Sequence, residues 1–145
     1  MAATDRVPDD LATIARDAGA LLLMQAAMMV FTAGVAAVFA EWRAGVAFVL
    51  AALLTGGTGL AARTAFADAP VPKMKHGMVI AALGWFATAA FGALPFVLAA
   101  YFTPAAVADR LVPAGASYQS SLLVVRDPLH ALFESMSGYT GSGLT

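Results

Sequence analysis

Three long runs without a charged residue dominate the sequence and restrict what it can fold into. They are residues 19–40, 45–62 and 77–101. A helix rises about 1.5 Å per residue, so the first run reaches about 33 Å, enough to cross a hydrocarbon core of about 30 Å. The sequence therefore predicts an all-α integral membrane protein with three transmembrane helices.

The composition supports the same class. Apolar residues make up 61% of the 145 residues and charged residues 12%, against about 25% charged in an average soluble domain. The net charge of −1 argues against nucleic-acid binding by bulk electrostatics. Because the chain has no cysteine, it has neither disulfides nor thiolate metal sites.

The polar stretches between the runs predict the topology. Residues 1–18 form a polar, acidic lead-in, and 63–76 form a linker with three basic residues. If these two stretches lie on the same side of the membrane, that side carries five basic residues and the opposite side carries three. Because basic residues are more frequent on the cytoplasmic side, this distribution favours a cytoplasmic N-terminus. We expect a multi-pass protein of the cell membrane, divided into lead-in 1–18, transmembrane pair 19–62, cytoplasmic linker 63–76, transmembrane helix 77–101 and external segment 102–127.

Small residues on the predicted helices indicate close packing. Gly84, Thr88 and Gly92 are spaced four apart, on one face of the third helix, where another backbone could approach. The second helix contains the run Thr55-Gly56-Gly57-Thr58-Gly59. A phosphate-binding loop would need a preceding strand and a following Gly-Lys-Ser/Thr. Neither is present, so helix packing is the better interpretation.

A short fourth helix is predicted at 128–138. Asp127 can cap its first turn, Pro128 suits the first helical position, and apolar residues then recur at helical spacing. The pattern stops at Gly138, and 139–145 is too rich in glycine to continue it. A helix of about ten residues is too short to span a bilayer. Next to membrane spans, this pattern suggests a re-entrant pore helix with a filter loop, a backbone tolerated only where it is buried in protein or lines water.

These residues also resemble a known family. The run Ala-Leu-Phe-Glu-Ser-Met-Ser-Gly-Tyr-Thr-Gly-Ser-Gly-Leu-Thr, from Ala131 to Thr145, resembles the first pore helix and filter of Trk-type potassium uptake proteins. The segment from Ala82 to Phe96 resembles the family's preceding helix. The first half of the chain resembles, in layout only, the extra helix pair of the TrkH branch. The resemblance implies that 77–145 is a first, truncated pore repeat and that the chain is the N-terminal part of the transporter.

The resemblance also implies roles for particular residues. Filter carbonyls of the family replace the water shell of a dehydrated potassium ion, the transported species. No bound cofactor is expected. Glu134 and Gly138 would support the filter loop. The family usually has three threonines before the filter glycine, where this chain has Thr140, Gly141 and Ser142. The expected carbonyl ligands are Thr140, Gly141, Ser142, Gly143 and Leu144.

Partners follow from the resemblance as well. They are the remaining pore repeats of the same transporter, a second copy in a homodimer, a cytosolic nucleotide-binding regulatory ring and the lipid bilayer. No enzymatic activity is expected, because no acid or second histidine completes a catalytic triad with Ser137 or Ser142. The alternative is a small polytopic scaffold or assembly subunit with no transport activity of its own.

Overall fold

The computed structural model describes residues 7–141, and this part of the chain is helical, with no strand and with 79% of its residues in helices. Three helices are long and apolar enough to cross a membrane, which confirms the predicted all-α architecture with three membrane-length helices. In the most apolar 18-residue stretch of each of these helices, only 17% to 28% is buried within the protein. Most of this apolar surface therefore requires lipid or another protein around it. The helices are α1 (Asp9–Val38), α2 (Trp42–Ala65), α3 (Met74–Phe102), α4 (Ala105–Arg110), α5 (Ser121–Val124) and α6 (Pro128–Thr140).

The first two helices form a hairpin joined by a tight turn. Ala40 takes a left-handed conformation there, with φ of 58°, and Glu41 N–H donates to the Ala36 carbonyl at 2.8 Å. Farther along the hairpin the two backbones meet at Gly19 and Gly59, where neither residue leaves room for a side chain. The glycine run 55–59 thus lies inside α2, in agreement with the packing interpretation.

Helix α1 begins at Asp9, ten residues before the predicted span. Its first turns contact the loop that joins α2 to α3: Thr13 Oγ1 donates to the Pro70 carbonyl at 3.2 Å, and Arg16 donates to the Ala69 carbonyl at 2.7 Å. Asp10 accepts hydrogen bonds from Lys75 and His76 at the start of α3. These contacts stabilise the polar lead-in from Asp9 onward as a continuation of the membrane helix.

Helix α3 packs against the hairpin and continues through Pro95 to Phe102. The segment 102–127, which the sequence predicts to be an external connection, contains two short helices, α4 and α5. Small side chains form much of the core, which keeps the helix axes close. Buried alanines of α3 and α6 make one cluster with Val125, while Met29 of α1 packs with alanines of α2 in another.

Candidate functional site

The start of α6 is fixed to the end of α3. Asp127 accepts a hydrogen bond from Leu129 N–H at 2.9 Å, and Pro128 occupies the first turn, as the sequence predicts. The preceding residue, Arg126, donates to the Ala100 carbonyl at 3.1 Å and to the Thr103 carbonyl at 2.8 Å. A guanidinium that bonds two carbonyls of the last turn of α3 also suits the negative end of that helix dipole.

From this anchor α6 runs back along α3. Ala131, in its first half, packs with Ala93 and Ala100 of α3. One turn later Ser135 approaches Gly92 so closely that a Cβ at Gly92 would lie 2.5 Å from Ser135 Oγ. Tyr139, in the last turn, is joined through a single glutamine to Thr88, at the midpoint of α3. Helix α6 therefore begins beside the end of α3 and ends level with its middle.

That glutamine is Gln25, which lies near the midpoint of α1 and is only 6% exposed. Its Nε2 donates to the Thr88 carbonyl and to the Tyr139 hydroxyl, each at 2.8 Å. One amide thus joins α1, α3 and α6. Hydrogen bonds between membrane helices each contribute about 0.6 kcal/mol on average. The sequence offered a signal for Gln25, since it is an amide within a charge-free run, but none for its partners.

The expected filter residues fall only partly within the described chain. Thr140 is the last residue of α6, and Gly141 caps the helix in a left-handed conformation with φ of 64°. The other three predicted ligands, Ser142, Gly143 and Leu144, lie outside the described residues, and so does Thr145.

The helix also ends later than predicted. Gly138 is helical and exposed, with open space around the position of a Cβ. The helix continues through Tyr139 and Thr140, which the sequence assigns to the loop. Tyr139 gains its bond to Gln25 in this turn, and Thr140 Oγ1 donates to the Ser137 carbonyl at 3.1 Å. These contacts outweigh the cost of about 0.5–1 kcal/mol for a glycine inside a helix.

Glu134, expected to support the filter, is half-buried on the wall of a cavity between α1, α3 and α6. The cavity measures about 320 Å³. Gln25, Ser135, Gly138 and Tyr139 line it together with apolar side chains. Of the predicted packing face of Gly84, Thr88 and Gly92, only Gly92 lines this cavity. Gly84 and Gly92 are approached by side chains rather than by a backbone. A Cβ at Gly84, for example, would lie 2.6 Å from a Leu21 methyl group.

Comparisons with known proteins identify no relative of this chain. No family model matches the chain, and no curated protein or solved structure matches it either. The function must therefore be inferred from the chain's own residues and geometry.

Proposed function

We propose that the chain is the N-terminal part of a Trk-type potassium uptake subunit, in which 128–140 is a re-entrant pore helix and the residues after it form a filter loop. One observation carries this proposal. Helix α6 has 13 residues and is about 20 Å long, so it cannot cross a core of about 30 Å. It begins beside the end of a membrane-length helix and ends level with the middle of that helix.

The chemistry of the following residues supports the same proposal. Gly141 leaves α6 in a left-handed conformation, which turns the chain away from the helix axis at low cost. The sequence then continues Ser-Gly-Leu-Thr. Glycines allow successive carbonyls to face one side, and a ring of carbonyls can replace the hydration shell of a potassium ion. We propose Thr140 to Leu144 as this chain's share of the ring, with the other repeats supplying the rest.

Ion flux tests the proposal. Cells deficient in potassium uptake should accumulate rubidium when they express the full coding sequence that contains these residues. Gly143→Ala should lower both the uptake and the preference for potassium over sodium, because a filter that turns successive carbonyls to one side would need backbone angles that cost alanine about 1–2 kcal/mol. Gly34→Ala is the matched control, since a Cβ there meets open space. Unchanged selectivity in Gly143→Ala at normal expression would favour the scaffold alternative.

The orientation is part of the proposal and can be tested separately. We propose a cytoplasmic N-terminus, because the basic loop between α2 and α3 resists translocation. The chain has no cysteine, so single cysteines report without background. Lys73→Cys should resist an impermeant thiol reagent in intact cells, whereas Ser117→Cys should react. The reverse labelling pattern would place α6 on the cytoplasmic side and contradict a filter that opens outward.

We also propose the bilayer, the remaining pore repeats, a second copy of the subunit and a cytosolic nucleotide-binding ring as partners. The wide apolar surface that α1, α2 and α3 leave exposed is consistent with contacts to lipid and to further membrane helices.

A further inference from the structure

We propose that a cavity between the α1–α2 turn and the ends of α3, α4 and α5 binds one phospholipid whose headgroup carries a primary ammonium, such as phosphatidylethanolamine. Arg43 binds the phosphate and Glu41 binds the ammonium. None of the described lining residues belongs to α6, so the site requires a membrane but not potassium transport. The proposal follows from the shape of the cavity, from two charged side chains on its wall and from an apolar cavity beside it.

The cavity lies at one end of the membrane-length helices and has a volume of about 590 Å³. The α1–α2 turn forms one side of it. Ala99 near the end of α3, Val107 of α4 and Leu122 of α5 lie on the other sides. Because two charge-free runs of the sequence end here, at Ala40 and Tyr101, this end lies at the level of the lipid headgroups. A headgroup in the cavity is thus surrounded by protein, unlike those of the lipids around the helices.

Glu41 and Arg43 supply opposite charges to the wall of this cavity. The backbone of Glu41 is fixed, because its N–H donates to the Ala36 carbonyl at 2.8 Å and its carbonyl accepts from Gly45 N–H at 2.9 Å. Within residues 7–141, neither charged side chain has a hydrogen bond or an ion pair, and the two do not pair with each other. A ligand with one anionic and one cationic group pairs with both of them, through hydrogen bonds that are about twice as strong as neutral ones.

The two charged groups select the chemistry of the headgroup. A guanidinium presents a planar fork of N–H donors that fits the oxygens of a phosphate. A carboxylate only accepts hydrogen bonds, and a primary ammonium offers it three N–H donors. A choline headgroup has the same charges but no N–H, so it forms no such hydrogen bond with Glu41. An anionic headgroup without an ammonium places a second negative charge beside Glu41.

A second cavity of about 260 Å³ accommodates an acyl chain. It adjoins the first at Trp42 and Arg43, which line both, and Val46 and Phe102 complete it. The three apolar side chains are exposed on the outer surface of the helices, Trp42 to 68%, where a membrane places lipid. Tryptophan also favours the border between headgroups and hydrocarbon. A lipid fills both cavities, whereas a soluble zwitterion leaves the apolar one empty.

Trp42 is an internal reporter of binding, because the chain has two tryptophans and the other, Trp85, lies in α3 outside both cavities. Trp85→Phe leaves only Trp42, and Trp42→Phe leaves only Trp85. Each variant is reconstituted in vesicles of phosphatidylethanolamine and phosphatidylcholine, one of which has brominated chains that quench tryptophan. At Trp42 we expect an apparent affinity for phosphatidylethanolamine about tenfold above that for phosphatidylcholine, and at Trp85 equal affinities. Equal affinities at Trp42, or the same preference at Trp85, would overturn the proposal.

Matched substitutions in the Trp85→Phe protein test the two charges, which are exposed, so that their replacement spares the core. Glu41→Gln should reduce the preference for phosphatidylethanolamine over phosphatidylcholine to below about threefold. Arg43→Gln should weaken binding of both phospholipids several-fold when each competes with a neutral glycolipid. Asp109→Asn and Arg110→Gln are the controls, since both residues are exposed on α4 and lie outside the cavity. Both controls should retain the preference of the parent.

Soluble phosphoethanolamine separates a lipid site from a site for the headgroup alone. It carries the same two charges but no acyl chain, so a large excess should not relieve the quenching of Trp42 by brominated phosphatidylethanolamine. Relief would assign the polar cavity to a soluble zwitterion and overturn the proposal. Unchanged lipid binding in both Glu41→Gln and Arg43→Gln would overturn it as well, and so would loss of the preference in either α4 control.

Discussion

The crossing of α1 and α2 gives the sharpest test of the packing. A Cβ on Gly59 would lie 2.7 Å from the Gly19 carbonyl oxygen and 3.1 Å from Leu22 Cβ. The oxygen belongs to a helix backbone and cannot rotate away, unlike the end of a flexible side chain. We therefore predict that Gly59→Ala destabilises the hairpin.

The size of the effect follows from the geometry. Ordinary van der Waals contact begins at 3.4 Å, so the two helices would have to separate locally by about 0.7 Å. Overpacking of this kind typically costs about 1–3 kcal/mol. Alanine also gains about 0.5–1 kcal/mol over glycine from its helix propensity. Gly57, two residues earlier in α2, has open space around its Cβ position and isolates this gain.

The measurement compares Gly59→Ala with Gly57→Ala in detergent micelles, with far-ultraviolet circular dichroism during unfolding in sodium dodecyl sulfate. Because both variants replace a helical glycine with alanine, the gain in helix propensity is the same in each. The free energy of unfolding of Gly59→Ala should therefore be about 1–3 kcal/mol lower than that of Gly57→Ala. Gly19→Ala should behave like Gly59→Ala, because its Cβ would lie 2.7 Å from the Gly59 carbonyl oxygen. Equal stability of Gly59→Ala and Gly57→Ala would refute the close crossing.

Two further predictions concern the end of α6 and use hydrogen exchange of its last amides. Gln25→Leu removes both hydrogen bonds of the Gln25 amide and should reduce the protection of the last turn by about 1 kcal/mol. Gln119→Leu, in the exposed loop, should leave this protection unchanged. Equal exchange in the two variants would contradict the link that Gln25 makes between Thr88 and Tyr139. Gly141 has a φ of 64°, so Gly141→Ala should reduce the stability of the same turn by about 1–2 kcal/mol. Gly138→Ala, inside the helix, should increase that stability by about 0.5–1 kcal/mol. Matching effects of these two alanines would exclude the left-handed cap.

The sequence predicts features of this fold that depend on neighbouring residues. The charge-free runs are sufficient for three membrane-length helices, because length and polarity alone decide insertion. The start of α6 is equally local: Asp127 caps an amide two residues ahead, and Pro128 lacks the N–H that would be unpaired there.

Features that depend on distant contacts were not predicted. Gly138 signals the end of a helix locally, but the helix continues through Tyr139, whose hydroxyl accepts a hydrogen bond from Gln25 Nε2, 114 residues earlier. The polar residues before Gly19 likewise resemble a lead-in, yet Arg16 finds its carbonyl 53 residues away. Spacing along the chain carries no information about such pairs, so both helix boundaries were placed differently from the sequence alone.

The two anchors of α6 also fix its position along α3. At its start Arg126 bonds the Thr103 carbonyl, and at its end Tyr139 is joined to the level of Thr88. Fifteen residues separate these two levels of α3, which corresponds to about 22 Å at 1.5 Å per residue. The 13 residues of α6 span about 20 Å, so the length of the helix matches the distance between its anchors. Loss of either anchor should therefore change the position along α3 at which the chain leaves α6 at Gly141, and with it the position of any loop that follows.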